Sequence, residues 1–249
     1  AAAVWYLFRH RPDWPRTAAV GKTIATSSII DRVAARVGRR VVDVPVGFKY
    51  FVEGLRDGTL GVAGEESAGG SFLRRDGGVW CTDKDGIIMG LLAMESMART
   101  DRDPGAQYAS LVADVGDAFY ARIDVPASAA QKRALSRLRP GDVAAQSLAD
   151  DAIQSVVTTA SGNNEPIGGI KVATEQGWFV VRLSGTEAVY KLYAESFRGP
   201  RHLWRIQNEA SAIIQAAIAI GEEREVVGRA ATPIPLSVQS GDDTRARTR

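Results

Sequence analysis

The stretch "GWFVVRLSGTEAVYKLYAES" (residues 177–196) contains two apolar segments on either side of a short polar loop. β-Branched and aromatic residues dominate both segments, and this composition is typical of β-strands. Because the loop is too short for a crossover helix, the two strands are expected to pair as an antiparallel hairpin. The hairpin predicts a domain built on an antiparallel sheet.

The residues around this hairpin extend the same pattern. Strand-like and helical segments follow one another as "YARIDV" (120–125), "SAAQKRALSRL" (128–138), "AIQSVVTTA" (152–160), "IGGIKVAT" (167–174) and a closing helix over 201–220. Strands in sequence with helices at the ends are typical of α+β domains. We therefore predict an α+β domain with an antiparallel sheet over residues 118–221. The periodicity is lost after Gly221, so residues 222–249 are predicted to be a flexible tail.

The first half of the chain alternates strands with helices instead. Strands are predicted at 17–21, 40–46 and 59–64, helices at 27–38, 47–58, 87–100 and 105–119, and a long Gly-rich charged loop at 65–86. Strands that alternate with helices of this length favour a mainly parallel sheet covered on both faces. The predicted fold class is α/β: a three-layer βαβ domain with a mainly parallel sheet over residues 1–117, followed by the smaller α+β domain.

The composition, with 45% hydrophobic and 24% charged residues, is that of an ordinary soluble globular protein. A net charge of +2 does not indicate nucleic-acid binding, and the terminal "TRARTR" is expected to be a solvated tail. Cys81 is the only cysteine, and His10 and His202 are too isolated for a zinc site. Without a membrane-length apolar run or a signal-peptide pattern, we predict a cytoplasmic protein with no nucleic-acid or membrane partner.

The first residues, "AAAVWYLFRHRP" (1–12), have the pattern of a helix that lacks a capping residue at its start. We therefore expect the chain to begin inside a longer protein.

The polar loop of the hairpin has residue types that suit a phosphate group. Arg182 offers a bidentate guanidinium, Ser184 and Thr186 offer hydroxyls, and the backbone N–H groups around Gly185 can bind an anion. Lys191 on the following strand can reach the same anion. The alternative is a hairpin turn that is merely polar.

A second candidate site lies in "GEESAGG" (64–70), at the carboxyl end of a predicted parallel strand, where open α/β sheets bind ligands. Glu65 can accept hydrogen bonds from vicinal hydroxyls, and Ser67 can donate and accept. Lys49 and Lys84 are further candidates for substrate contact. The alternatives are a flexible solvated loop and two ordinary surface lysines.

Taken together, "VPVGFKYF", "GEESAGGSF", "TDKDG" and "RLSGTEAVYK" resemble the motifs of the α-D-phosphohexomutases over residues 1–217. Members of that family have four domains around one cleft, and this chain resembles the third and the fourth, with the start of the third expected to be missing. By this resemblance the sugar hydroxyls are bound by Glu65 and Ser67, with Lys49 and Lys84 near the substrate. The non-reacting phosphate is bound by Arg182, Ser184, Gly185 and Thr186. Lys191 stands where many members carry arginine, and the change loses the bidentate fork.

The resemblance also implies a reaction. The family interconverts glucose 1-phosphate and glucose 6-phosphate through glucose 1,6-bisphosphate, with a phosphoserine in the first domain and Mg²⁺ bound in the second. It places no catalytic residue and no metal site in this chain, which is expected to be a substrate-recognition half, inactive alone. Its implied partners are hexose phosphates and the missing amino-terminal half. The alternative is a stand-alone phosphosugar-binding module without catalysis.

Two segments imitate the absent motifs. "TASGNNEP" (159–166) resembles the phosphoserine loop, but no base stands beside Ser161 to activate it, so a surface turn is predicted. "SGDDTR" (240–245) resembles the metal loop, but it has two carboxylates and lies in the predicted tail. A Mg²⁺ site needs ligands held in near-octahedral geometry, so we predict no metal site there.

Overall fold

The computed structural model describes residues 1–67 and 69–230, with side chains described as far as residue 220. The segments "SGDDTR" and "TRARTR" lie outside the described residues. Within the described part, a mixed sheet with parallel strands is followed by an antiparallel sheet, each with helices, which confirms the predicted fold class.

The first sheet has the strand order β2-β1-β3-β4, in which β1, β2 and β3 are parallel and β4 is antiparallel to β3. Its elements are α1 (Ala2–His10), β1 (Ala19–Thr23), α2 (Ile29–Arg36), β2 (Val41–Val44), a 3₁₀ turn (Phe48–Phe51), α3 (Val52–Asp57), β3 (Leu60–Glu65), β4 (Gly69–Phe72), α4 (Gly86–Thr100) and α5 (Pro104–Val115).

Side chains on β1 and β3 divide the apolar residues between two layers, and a β-bulge on β3 between Leu60 and Val62 shifts the alternation there. Ala19, Leu60 and Ala63 pack with the 3₁₀ turn and α3 on one face of the sheet. Val20 and Val62 pack with α1, α2, α4 and α5 on the other face. The sheet is therefore covered on both sides, and the carboxyl ends of its parallel strands meet at one edge.

Three predicted elements differ from the structure. Strand β4 lies inside the predicted loop 65–86, because Ser71 and its neighbours fold back to pair with β3. The helix predicted over 105–119 ends at Val115, because Gly116 takes a positive φ of 88°. The helix predicted over 47–58 begins with a 3₁₀ turn rather than an α-helical one.

The second sheet has the order β5-β11-β10-β9-β8, and all of its neighbouring strands are antiparallel. Its elements are β5 (Phe119–Pro126), α6 (Ala129–Ser136), the small pair β6 (Ser147–Leu148) and β7 (Asp151–Ala152), β8 (Ser155–Thr159), β9 (Pro166–Ala173), β10 (Gly177–Leu183), β11 (Val189–Ser196) and α7 (Pro200–Ala230). Helix α7 continues past the predicted boundary at residue 221.

The two faces of the second sheet have different neighbours. Phe179, Val181 and Leu192 pack beneath α6 and α7 in the main core of this domain. Trp178 and Tyr193 lie on the opposite face and pack against the first domain, beside Ile24 and Ala25. The second sheet therefore presents one face to its own helices and the other to the first domain.

Candidate functional site

Three of the predicted sugar-binding residues form one hydrogen-bonded cluster, which we call the sugar cluster (Glu65, Ser67 and Lys84). Glu65 ends β3, and its Oε1 accepts hydrogen bonds from Ser67 Oγ at 2.7 Å and from Lys84 Nζ at 2.6 Å. The Glu65 side chain is only 4% exposed, whereas that of Lys84 is 40% exposed. The hydrogen bond to Glu65 raises the pKa of Lys84, so its ammonium stays protonated at neutral pH.

The second carboxylate oxygen of Glu65 is buried and has no hydrogen-bond partner among the described residues, and the same holds for Oε2 of Glu66. A buried carboxylate oxygen without a donor is unfavourable unless something satisfies it. Sugar hydroxyls are suitable donors for such an oxygen. The cluster is therefore an acceptor beside a cation, which matches the surface of a polyol.

Gly69 makes room for the lysine of this cluster. A Cβ atom at residue 69 would lie 2.1 Å from Lys84 Cδ and 2.9 Å from Lys84 Cβ. Real Cβ atoms do not approach other atoms so closely, so a side chain here displaces Lys84 along its whole stem. The glycine is required by this close approach and not by its backbone angles.

For the hexose phosphate that the resemblance implies as partner, we predict that Gly69→Ala weakens binding about tenfold, because it displaces Lys84 from its charge-assisted hydrogen bond with Glu65. Isothermal titration of the chain with glucose 6-phosphate measures the change. The matched control is Gly90→Ala on α4, where a Cβ atom would meet nothing within 4 Å. If the Gly69 variant and the wild type bind with equal affinity, Lys84 does not contribute to the site.

Lys49 lies apart from the hydrogen bonds of the sugar cluster. It is exposed in the 3₁₀ turn after β2, and its Nζ lies 4.9 Å from the centroid of the Tyr50 ring. The turn follows the carboxyl end of a parallel strand, which is the sheet edge that also carries Glu65. Lys49 therefore stays a predicted contact at the same edge, without a described link to Glu65.

The segment 182–187, which we call the phosphate loop, comprises the end of β10 and most of the turn before β11, and it carries the second group of predicted residues. Gly185 and Thr186 are exposed, whereas Ser184 is buried and its Oγ lies 3.2 Å from Oε2 of Glu187. Arg182 is half-buried, and its Nη1 lies 3.5 Å from the Tyr193 hydroxyl. No carboxylate among the described residues pairs with Arg182, so its guanidinium has charge available for an anion.

Lys191 is placed differently. Its Nζ lies 3.0 Å from Asp124 Oδ2 and 3.1 Å from Glu187 Oε2. The hydrogen bond to Asp124, followed by that to Glu187, raises the pKa of Lys191. Lys191 and Arg182 are opposite each other in the strand register and share a sheet face, but two carboxylates already balance the Lys191 charge. Arg182 is thus the stronger candidate for the phosphate.

Lys132 on α6 supports this loop, although the sequence alone does not identify it. Its Nζ donates to the carbonyl oxygens of Ser184 at 2.8 Å and of Glu187 at 2.9 Å. By holding both ends of the turn, Lys132 ties the loop to helix α6. In the sequence it is one of several charged residues on a helix, and no local pattern distinguishes it.

Glu65 and Glu66 border a cavity at the domain interface, and Arg182 of the phosphate loop contacts Tyr193 near Glu66. A cavity of about 620 Å³ is lined by Glu65 and Glu66 from the first domain and by Tyr120 from the second. Burial raises the pKa of Tyr193, the hydrogen bond from Arg182 lowers it, and the negative charge of Glu66 raises it further. The Glu66 carboxylate therefore lies near the hydroxyl that Arg182 contacts.

Of the two segments that resemble the absent motifs, the structure describes only "TASGNNEP" (159–166). Ser161 is exposed in a turn between β8 and β9. Among residues 1–67 and 69–220, whose side chains the structure describes, no group of three His, Cys, Asp or Glu side chains is arranged to hold a metal ion. This part of the chain does not fit Mg²⁺. None of the helices in it is long and apolar enough to cross a membrane.

Comparison with known proteins gives consistent matches. The family model described as "Phosphoglucomutase/phosphomannomutase, alpha/beta/alpha domain III" matches residues 1–115, and "Phosphoglucomutase/phosphomannomutase, C-terminal domain" matches residues 132–213. A phosphoglucomutase of Komagataeibacter xylinus is 55% identical over 219 residues, which cover 88% of this chain and 40% of that protein.

More distant relatives extend the comparison. The cytoplasmic phosphoglucomutase of Pisum sativum is 26% identical over 250 residues, which cover 86% of this chain and 41% of that protein. The crystal structure of a phosphoglucomutase/phosphomannomutase family protein from Burkholderia thailandensis has a TM-score of 0.62 at 21% identity, covering 87% of this chain and 41% of that one. The chain thus spans about two fifths of the length of its relatives.

Proposed function

The chain belongs to the phosphoglucomutase/phosphomannomutase family, and on that premise we propose that it is the substrate-recognition half of a phosphoglucomutase. The proposed reaction interconverts glucose 1-phosphate and glucose 6-phosphate through glucose 1,6-bisphosphate. The single observation that carries the proposal is that Arg182 contacts the Tyr193 hydroxyl near Glu66, which adjoins Glu65 of the sugar cluster. The identity of 55% to the Komagataeibacter xylinus phosphoglucomutase favours glucose over mannose phosphates.

Each half of the site has a chemical role in this proposal. Glu65 accepts hydrogen bonds from vicinal sugar hydroxyls while Lys84 and Ser67 donate, so the cluster binds a hexose by its equatorial edge. Arg182 binds the non-reacting phosphate through its planar fork, with Thr186 and the backbone at Gly185 completing the anion site. Because the bisphosphate must bind in two orientations, recognition by hydroxyl pairs and one phosphate is what the reaction requires.

Phosphoryl transfer depends mainly on positioning and charge stabilisation. In the proposal, this chain positions the hexose phosphate for the transfer. The phosphoryl donor and the Mg²⁺ site are assigned to an amino-terminal half, because the described residues hold no metal cluster and Ser161 has no activating base. The isolated chain is accordingly proposed to bind hexose phosphates without converting them, and its proposed location is the cytoplasm, as in the name of the pea relative.

A phosphosugar-binding module without catalysis is the second candidate. The specific observation in its favour is that both predicted binding groups lie within this one chain. Such a module requires no second half, and this difference separates the two candidates experimentally.

The deciding experiment is a coupled assay of glucose 1-phosphate conversion to glucose 6-phosphate, with Mg²⁺ and glucose 1,6-bisphosphate present. We expect no turnover by the chain alone, and turnover when it is mixed with the amino-terminal part of the Komagataeibacter xylinus enzyme that precedes the matched region. The Arg182→Ala chain with the same partner is the matched control. Turnover by the chain alone would contradict the proposal, and binding without turnover in any mixture would favour the module.

A further inference from the structure

Glu195 is a fully buried carboxylate that the site described above does not use. It lies near the end of β11, and its side chain is completely inaccessible to solvent. Its Oε2 accepts a hydrogen bond from Trp178 Nε1 at 2.7 Å within its own domain. The same oxygen accepts from the backbone N of Ser28 at 2.8 Å, and Oε1 accepts from Ser27 Oγ. A carboxylate of the second domain thus binds two donors of the first.

The donors from the first domain lie at the start of helix α2. Ser28 is the N-cap residue of α2, and its side chain makes no capping hydrogen bond. Ser27 Oγ instead accepts from the backbone N of Ile29 at 3.1 Å. A negative charge is favourable at the amino end of a helix, where the N–H groups lack partners. Glu195 therefore performs for α2 the function that a local capping side chain usually performs.

Other contacts join the same two surfaces around Glu195. Lys171 Nζ donates to the Ile24 carbonyl at 3.1 Å, and the Gly162 backbone N donates to the Asp43 carbonyl at 2.8 Å. The Arg32 guanidinium lies 3.4 Å from the centroid of the Phe197 ring. These contacts belong to the same domain interface as Glu195, which is itself inaccessible to solvent. The interface is therefore held at several points, and Glu195 is its fully buried carboxylate.

The strand that carries this carboxylate, β11, and its neighbour β10 are joined by the phosphate loop. Glu195 is opposite Trp178 in the strand register, and Arg182 follows Trp178 on β10. Four residues of a β-strand span about 13 Å, and the side chains of Trp178 and Arg182 lie on the same face of the sheet. On the other side, α2 follows β1, which is the neighbour of the strand that ends in Glu65. Glu195 thus joins the rigid elements that carry the two halves of the site.

We propose that Glu195 is a positioning residue that fixes the phosphate loop relative to the sugar cluster through its hydrogen bonds to Ser27 and Ser28. The inference rests on the proposed function, since it assumes that one hexose phosphate spans both groups. A ligand held at two points gains affinity only when the spacing of the points matches its length. Loosening the domain interface therefore weakens a spanning ligand and leaves a ligand of the phosphate loop alone unchanged.

The test compares two probes on the full chain, glucose 6-phosphate and inorganic phosphate, by ³¹P NMR titration at pH 7. At this pH the Lys171 ammonium is protonated, because burial lowers its pKa only to about 8. For Glu195→Gln we expect the affinity for glucose 6-phosphate to fall about five- to tenfold and the affinity for inorganic phosphate to stay within about twofold. Ser27→Ala, which retains the buried charge, is expected to give a smaller change of the same kind.

The matched control is Glu209→Gln, since Glu209 Oε2 accepts from the Ala149 backbone N at 2.6 Å within the second domain alone. It is expected to lower stability without altering the ratio of the two affinities. If Glu195→Gln is folded and retains the wild-type ratio, or lowers both affinities equally, the positioning role is wrong. If Glu195→Gln does not fold, an unchanged ratio in folded Ser27→Ala overturns the role instead. A wild-type chain that binds glucose 6-phosphate no more tightly than inorganic phosphate refutes the proposed function itself.

Discussion

Arg182→Ala is expected to lower the affinity of the chain for glucose 6-phosphate by about 10- to 100-fold, since a hydrogen-bonded charge contributes roughly 1.5–3 kcal/mol. The reason is that the described residues leave no carboxylate on this guanidinium, whereas Lys191 is balanced by Asp124 and Glu187. Removing Arg182 therefore removes the cation that is available to the phosphate. Isothermal titration with glucose 6-phosphate and with glucose measures the loss, and only the phosphorylated sugar should respond.

Two variants make this result specific. Arg182→Lys retains the charge and loses the bidentate fork, so an intermediate affinity is expected. Arg201→Ala removes an exposed arginine from α7, on the side of the sheet away from the phosphate loop, and should leave binding unchanged. If Arg182→Ala binds glucose 6-phosphate as well as Arg201→Ala does, the phosphate loop is misassigned.

The second large effect concerns stability. Glu95→Ala is expected to destabilise the chain by about 3–5 kcal/mol, because it leaves a buried arginine without its counter-ion. The carboxylate of Glu95 on α4 pairs with Arg11 at 2.8 and 2.9 Å, and the Arg11 side chain is 4% exposed. Tyr6 on α1 donates to the same carboxylate at 2.7 Å, and Arg75 lies 3.0 Å from it. Urea unfolding at pH 7 measures the change.

The same pair makes stability depend on pH. The hydrogen bonds from Arg11 are the main reason that the pKa of Glu95 falls from 4.5 to about 2. A carboxyl group with a depressed folded pKa stabilises fully above its unfolded pKa, and the stabilisation is lost as the pH falls through the folded value. The wild type is therefore expected to lose roughly 3 kcal/mol from this group between about pH 5 and pH 2.

Three further variants identify the cause. Glu95→Gln should show a shallower loss of stability in acid than the wild type, because it has no carboxyl group to protonate. Glu53→Ala, an exposed position on α3, should change little at any pH. The double variant Arg11→Met/Glu95→Met should recover much of the lost stability, since no unpaired charge remains buried. Stability of Glu95→Ala equal to that of Glu53→Ala at pH 7 would show that the pair is unimportant.

The alternation of strand and helix patterns predicted both sheets and the order of the main elements. It missed β4, because Gly69 and Gly70 have no strand preference and pair only when the chain reverses at Ser67. It missed the pair β6 and β7, since each strand has two residues and no periodicity. Helix α5 ends where Gly116 takes a positive φ. The sequence did not predict this end, because the apolar pattern continues beyond Gly116.

The residue types of the loops identified the candidate site, because a carboxylate with nearby hydroxyls and an arginine with a glycine turn have recognisable chemistry. Contacts between distant parts of the chain decide which of these groups are free to bind a ligand. Asp124, 67 residues away in sequence, accepts a hydrogen bond from Lys191. Lys132 donates to the carbonyl of Ser184 in the phosphate loop, 52 residues away. Neither contact leaves a local pattern in the sequence. The sequence therefore did not show that Lys191 is paired while Arg182 is available, and it did not single out Lys132 from its neighbours.

Local order was thus largely readable from the sequence: side-chain periodicity and turn residues act over a few positions, and they specified the main strands and helices and the two candidate ligand loops. The relation between the loops was decided by tertiary structure. Glu195 meets Ser27 across 168 residues, and its burial, its donors and its effect on α2 exist only after the two domains pack. The physical reason is that a buried charge is tolerated only where distant donors converge on it, and convergence is a property of the folded chain.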